Sequence, residues 1–133
     1  MIAILDTNVI VRFLTGDKNK KFEGVFDFFK SIEQGKIVVE LKLIVLFQTI
    51  FVLKSYYQVP KDRIINATGG LLKFNGLKIK EKRTVERMLE LWHSKNIEIV
   101  DAYLIANLEK DSRNVLYSYD SDFDEFEINR IEP

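Results

Sequence analysis

The first eight residues, MIAILDTN, constrain the fold most strongly, because an uninterrupted apolar run ends abruptly on a charged side chain. A short apolar run predicts a buried β-strand, and a fully buried strand is typical of the centre of a parallel sheet. Asp6 ends the run, and the Thr7 and Asn8 that follow favour a turn or a helix start. Ligands of open α/β sheets lie beyond the carboxyl ends of the strands. Asp6 is therefore either a functional carboxylate or a helix cap.

Short apolar runs alternate with helical patterns along the rest of the chain, which predicts an α/β fold with helices on both faces of a parallel sheet. The predicted helices are Thr7–Leu14, Phe22–Ile32, Leu43–Tyr57, Pro60–Phe74, Val85–Trp92 and Ala102–Lys110. The predicted later strands are Ile37–Val39, Leu77–Ile79, Asn114–Tyr119 and a last one that includes Ile128 and Ile131. Gly69-Gly70 lies inside the fourth helix, and each glycine costs about 1 kcal/mol relative to alanine there. We therefore expect a kink or a break at that point.

The composition limits the class of protein and the ways in which it can bind. A chain of 133 residues with 47% hydrophobic content suits a single globular domain over residues 1–133. The absence of cysteine excludes a thiol nucleophile and cysteine-ligated metals, and it fits a reducing cytoplasm. Twenty basic and twenty acidic residues balance, so any contact with nucleic acid must be local or metal-mediated. The longest apolar run, Leu43–Leu53, is too short for a membrane span of about 20 residues, and no signal peptide is expected.

Three aspartates share one kind of position, at the end of an apolar run. Asp6 follows the first run, Asp101 follows IEIV and opens a helix, and Asp120 follows NVLYSY, with Asp122 close behind. In a parallel sheet these positions lie on one edge, so we expect the acids to converge on one pocket. Converged carboxylates repel each other, and a hard divalent cation such as Mg²⁺ or Mn²⁺ relieves the repulsion. Taken singly, each acid is better explained as a cap or a turn residue, but their shared position favours a site.

Gln48 is the one strongly polar side chain in the apolar run Leu43–Leu53, LIVLFQTIFVL. Burying an amide without partners costs about 1–3 kcal/mol. Gln48 should therefore either be satisfied by hydrogen bonds or face the pocket. The sequence leaves both alternatives open.

Four segments of the chain resemble the signature blocks of PIN-domain nucleases, and most closely those of the VapC-type toxin ribonucleases of toxin–antitoxin pairs. The segments are ILDTNVIVRFL, LFQTIFVLKSYYQV, DAYLIA and YSYDSDF, and they follow the order found in the family. The resemblance implies a three-layer α/β/α sandwich around a parallel five-stranded sheet. It also implies Mg²⁺- or Mn²⁺-dependent cleavage of RNA, a homodimer, and a cognate antitoxin protein that blocks the site.

The same resemblance assigns roles to individual side chains. Asp6, Asp101 and Asp120 match the family's first, third and fourth acids, which are the expected metal ligands. Asp122 matches an extra acid of some members and completes the expected catalytic set. The supporting polar positions are Asn8, Gln48 and Ser118.

Gln48 departs from the family pattern, because it takes the place of the family's second acid, normally a glutamate of the central helix. Glutamine keeps the shape and one carbonyl oxygen but removes a charge, so we expect weaker metal binding and a doubtful second metal. Glu40 is a candidate to compensate for the missing acid. The primary hypothesis is a metal-dependent endoribonuclease, and the alternative is a degenerate PIN-fold binding module without turnover. Chemistry through an aspartyl-phosphate is disfavoured, because position 8 is asparagine, whereas such phosphatases have a second aspartate there.

Overall fold

Helices make up most of the chain, and the extended segments are short. The computed structural model describes residues 1–133, which divide into two units, Met1–Lys80 (unit 1) and Glu81–Pro133 (unit 2). The α/β class is confirmed, and the strands pair in parallel in both units. The five-stranded sheet of a three-layer sandwich and the single domain over residues 1–133 stay predictions.

Unit 1 contains four helices and a small parallel sheet. The helices are α1 (Thr7–Leu14), α2 (Gly24–Glu33), α3 (Leu43–Ser55) and α4 (Lys61–Leu71), and a 3₁₀ turn spans Lys20–Phe22. The strands are β1 (Val39–Glu40) and β2 (Leu77–Lys78), paired in the register Val39 to Leu77. Ile4 forms a parallel bridge with Glu40, which adds the N-terminal segment on the other side of β1. Asp6 therefore stands directly after an extended segment and at the start of a helix.

The N-terminal run is not the fully buried strand that the sequence predicts. Ile2 and Ile4 are 66% and 56% exposed, whereas Leu5 is only 3% exposed. Successive side chains of an extended segment point to opposite sides, so only alternate residues can reach the core. The run is attached to β1 by short hydrogen bonds, such as the one from the Glu40 amide to the Ala3 carbonyl (2.7 Å).

The helices of unit 1 differ from their predictions in two further ways. The sequence predicts that α3 is buried on most sides, but it buries only one face, which includes Ile50, and leaves Ile44 and Phe51 exposed. The break predicted at Gly69-Gly70 is absent, because α4 runs through both glycines and ends at Leu71. Packing of the face that carries Ile64 and Leu71 outweighs the low helix propensity of glycine.

Unit 2 is built on a pair of packed helices, α5 (Lys82–Ser94) and α6 (Ile99–Leu108). They bury a common apolar core, formed by Val85, Met88, Leu89, Leu91, Trp92, Ala102, Ile105 and Ala106. Two parallel strands follow, β3 (Val115–Tyr117) and β4 (Asn129–Ile131), with a 3₁₀ helix over Ser121–Glu125 between them. No helix of the chain is long and apolar enough to cross a membrane.

Candidate active site

Asp6 caps the N-terminus of α1. Its backbone is extended, and its Oδ2 accepts a hydrogen bond from the Asn8 amide at 3.3 Å. The capping role that the sequence allows is therefore confirmed for Asp6. It does not exclude a catalytic role, because the cap uses one of the two carboxylate oxygens and the side chain is exposed.

Gln48 lies against the start of α1, where the Thr7 hydroxyl donates to Gln48 Oε1 at 2.7 Å. Thr7 is buried and Gln48 is exposed, so the amide pays no burial penalty. This places the residue that resembles the family's second acid next to the helix that Asp6 caps. Among Asp6, Thr7, Asn8 and Gln48, only Asp6 carries a charge.

Glu40 already has a charged partner. Its Oε2 lies 3.0 Å from the Lys42 ammonium, and its side chain is only 15% exposed. A carboxylate paired with lysine attracts a metal cation less strongly, because the ammonium already neutralises its charge. This weakens the hypothesis that Glu40 replaces the missing acid.

Unit 2 holds an acidic cleft of about 400 Å³, which contains the three other predicted acids. Asp101 reaches it from the first turn of α6, and Asp120 and Asp122 reach it from the start of the 3₁₀ helix. The full lining is Asn96, Ile97, Glu98, Asp101, Ile105, Asp120, Asp122, Phe123, Glu125 and Phe126. The structure thus brings together three of the four predicted catalytic acids, and Asp6 belongs to the other unit.

Asp120 is held in the cleft by its own backbone neighbours. It caps the 3₁₀ helix, and its Oδ1 accepts from the Asp122 amide at 2.9 Å. The Asp120 amide in turn donates to Ser118 Oγ at 3.0 Å. Ser118 is itself tied to β4, because its amide donates to the Ile131 carbonyl at 3.1 Å. The predicted supporting role of Ser118 therefore has a physical basis, which is to fix the backbone that presents Asp120.

Arg130 is a positioning residue that sequence analysis missed. Its guanidinium donates to the Ser118 carbonyl at 3.0 Å and to both carboxylate oxygens of Asp124 at 2.8 and 2.9 Å. It therefore connects the end of β3 with the 3₁₀ helix on both sides of Asp120. No local pattern marks this role, because it depends on the pairing of β3 with β4.

Glu98 is a second residue that sequence analysis missed. The sequence predicts that the following helix spans Ala102–Lys110, but α6 begins at Ile99 and Glu98 is its N-cap residue. Asp101 consequently lies in the first helical turn and does not follow a strand. Side chains three apart at a helix start are neighbours, so Glu98 and Asp101 share the cleft. In the sequence, the three-residue spacing of Glu98 and Asp101 is the feature that could have indicated this pair.

The carboxylates of the cleft repel one another. Burial raises the pKa of Asp101, and the negative charges of Asp120 and Glu98 raise this pKa further. A positive ion bound between these groups would remove the repulsion. The cleft therefore favours a cationic ligand.

The donor chemistry of the cleft fits a hard divalent cation. No group of three or more His, Cys, Asp or Glu side chains stands close enough together to hold a metal ion by itself. Mg²⁺ commonly binds through one or two carboxylates and keeps several waters or substrate oxygens. Asp101 and Asp120 supply two such carboxylates, so these are the residues of unit 2 that would hold the ion.

Comparison with known proteins gives one family. No curated protein matches the chain. A family model described as PIN domain matches residues 3–129, a range that includes every predicted site residue. PIN domains are generally nucleases that act on RNA or other nucleic acid, and they typically use divalent metal ions. The chain belongs to the PIN domain family.

Proposed function

We propose that this protein is a metal-dependent endoribonuclease. The observation that carries the proposal is the acidic cleft of a PIN-domain chain, in which the charge of Asp120 raises the pKa of Asp101. Like charges that line one cleft favour a divalent cation, and a bound divalent cation can activate water for the hydrolysis of a phosphodiester.

We assign the residues as follows. Asp101 and Asp120 would hold Mg²⁺ or Mn²⁺, and Asp6 is the third proposed metal ligand. The ion, when bound, lowers the pKa of a water molecule and stabilises negative charge on the phosphate. Asp122 serves as the additional acid of the catalytic set, and Ser118 positions Asp120. Gln48 and Asn8 support Asp6 as neutral hydrogen-bonding groups.

The biological setting is proposed on the likeness of four sequence segments to VapC-type toxins. That likeness supports a ribonuclease toxin, a cognate antitoxin protein that blocks the site, a homodimer, and a cytoplasmic location. It also supports a three-layer α/β/α sandwich with one parallel five-stranded sheet. The exposed Ile44 and Phe51 on α3 offer an apolar surface to which an antitoxin or a second copy of the chain could bind.

Cleavage of labelled single-stranded and structured RNA by the purified protein tests the proposal. We expect cleavage with Mg²⁺ or Mn²⁺, none with EDTA, and none by an Asp6→Asn protein. Asp27→Asn is the matched control, because Asp27 is an exposed acid in the first turn of α2 and does not line the acidic cleft. Failure to cut any RNA with either metal across the pH range would reject the proposal.

A degenerate binding module is the second candidate, and the neutral Thr7–Gln48 contact favours it. Such a protein would bind RNA but would not cut it with any divalent metal. Binding without cleavage, together with a gain of activity on restoring the acid at position 48, would establish this alternative.

A further inference from the structure

A second cleft, of about 410 Å³, opens in unit 1 between α1, the 3₁₀ turn Lys20–Phe22 and α2. It is lined by Asn8, Val9, Arg12, Lys21, Phe22, Gly24, Val25 and Phe28. Part of this lining is apolar or aromatic, and part carries an amide and two cationic groups. A pocket of this size and mixed character suits a small planar ligand with an attached anion.

The rim of this cleft is basic although the whole chain is neutral. Residues 12–24 contain four basic side chains and two acidic ones, whereas the full chain contains twenty of each. Lys18, Lys20 and Lys21 are exposed. The acid Asp17 is occupied by Arg12, with Nη1 2.7 Å from Oδ2. The remaining positive charge lies on the segment that supplies Lys21 to the cleft, and a backbone phosphate can bind there.

Arg12 and Phe22 form a preformed wall of the cleft. The guanidinium carbon of Arg12 lies 4.3 Å from the centre of the Phe22 ring, and the Lys21 ammonium lies 5.6 Å from the same centre. The ion pair with Asp17 fixes the direction of the Arg12 side chain, but its Nε is buried without a hydrogen-bond partner. Arg12 is thus oriented by Asp17 beside the Phe22 ring.

We propose that this cleft binds one nucleotide of the RNA substrate. The base contacts the apolar wall of Val9, Phe22 and Val25, and Lys21 contacts the adjoining phosphate. Aromatic walls with a basic rim are a common device for single-stranded nucleic acid. The inference rests on the proposed function, because it names part of the surface that the same substrate would use. It also locates the local contact that a chain with no net charge requires.

Gly24 provides a way to fill the cleft without disturbing the fold. It lines the cleft at the start of α2, and a Cβ atom added there would meet nothing within 4 Å. Gly24→Phe should therefore place a ring in the cleft while the helix still forms. Lys21→Gln removes the charge at the rim, and Lys30→Gln removes an equal exposed charge from α2 outside the cleft.

The experiment measures binding of a labelled single-stranded oligoribonucleotide by fluorescence anisotropy, in EDTA and at several salt concentrations. The full chain is used throughout, with thermal unfolding as the check that each variant folds. Gly24→Phe should weaken binding about tenfold, which is typical for loss of one stacked base. Lys21→Gln should weaken binding at low salt and lower the salt slope by about one. Lys30→Gln should bind like the parent.

The outcomes separate this proposal from the nuclease itself. Binding that both cleft variants leave unchanged, or no RNA binding by the parent at low salt, would overturn the nucleotide cleft. In the first case a segment of a protein partner becomes the better occupant. Cleavage that persists with unchanged binding rejects the cleft and keeps the nuclease. Loss of binding in both variants without any cleavage by the parent keeps the cleft and rejects the nuclease.

Discussion

Asp6 of unit 1 and Asp120 of unit 2 make the same local hydrogen bond. Each carboxylate caps a helical segment by accepting from the amide two residues further along, at 3.3 Å from Asn8 and at 2.9 Å from Asp122. Both residues have extended backbone and an exposed side chain. By local structure alone, the two aspartates are equivalent.

Their electrostatic surroundings differ. Asp120 lies in a cleft with Asp101 and Glu98, and its charge helps to raise the pKa of Asp101. Asp6 is followed by neutral groups, and the nearby amide of Gln48 accepts a hydrogen bond from a hydroxyl. The same capping device can therefore serve sites of different charge, and the need for a cation is concentrated in unit 2.

Within unit 2, the largest effect should come from Asp120→Asn. Asparagine can still accept the capping hydrogen bond, so the substitution removes charge from the acidic cleft and leaves the local fold in place. We expect RNA cleavage to fall by at least about 100-fold, which is the upper end of what residues that only orient metal ligands cost. Mn²⁺ affinity, measured by calorimetry, should fall in parallel.

Glu86→Gln is the matched control for Asp120→Asn, because Glu86 is an exposed acid of unit 2 on α5 and does not line the cleft. It should leave both cleavage and Mn²⁺ affinity unchanged. Full activity in Asp120→Asn, with activity lost in Asp6→Asn, would reverse the comparison and place the metal requirement in unit 1.

The next largest effect should come from Gln48→Glu, which adds a second carboxylate to the predicted site residues of unit 1. The new carboxylate can still accept the Thr7 hydrogen bond, so the geometry is retained and one negative charge is added. We expect Mn²⁺ to bind about tenfold more tightly, equivalent to about 1.4 kcal/mol. Gln34→Glu adds the same charge at an exposed residue after α2 and should have no effect. Unchanged Mn²⁺ affinity in Gln48→Glu would mean that position 48 does not contribute to the metal site.

Local features of this fold could be predicted from sequence. The α1 helix has the predicted bounds Thr7–Leu14, because its apolar spacing and its capping aspartate both lie within a short stretch. Asp120 was likewise expected as a cap or turn residue, and it caps the 3₁₀ helix Ser121–Glu125. The family was also recognisable, because its four signature segments keep their order along the chain.

Features that depend on distant contacts could not be predicted. The segment IEIV is too short to show a helical period, so the predicted helix began at Ala102 and not at Ile99, and the role of Glu98 was not predicted. The exposure of Ile4 depends on which strands pair with the N-terminal segment. The role of Arg130 depends on the pairing of β3 with β4, which brings its guanidinium to the Ser118 carbonyl.

A smaller effect should come from Arg130→Met, which keeps an unbranched apolar stem but removes the guanidinium that joins Ser118 to Asp124. We expect Asp120 to be less well fixed, so that cleavage falls by about 10-fold, the lower end for residues that orient a metal ligand. Arg130→Lys should recover part of the loss, because lysine keeps the charge but not the forked geometry. Arg113→Met is the control, since Arg113 pairs only within its own loop, with Asp111. Equal losses in Arg130→Met and Arg113→Met would show a general effect of charge.

The smallest effect concerns stability and pH, measured without metal. Burial and the charges of Asp120 and Glu98 raise the pKa of Asp101, so the folded protein binds the Asp101 proton more readily than the unfolded chain does. The stability that protonation contributes is present below the ordinary aspartate pKa and is lost as the pH rises through the raised value. Asp101→Asn should therefore raise the thermal midpoint at pH 7, and the gain should shrink as the pH falls toward that value. Asp111→Asn should lower the thermal midpoint at pH 7. Hydrogen bonds from Arg113 lower the pKa of Asp111, so its charged form stabilises the fold. If Asp101→Asn instead lowers the midpoint at pH 7, the acidic cleft is not under electrostatic strain, and the contrast between the two units is one of sequence alone.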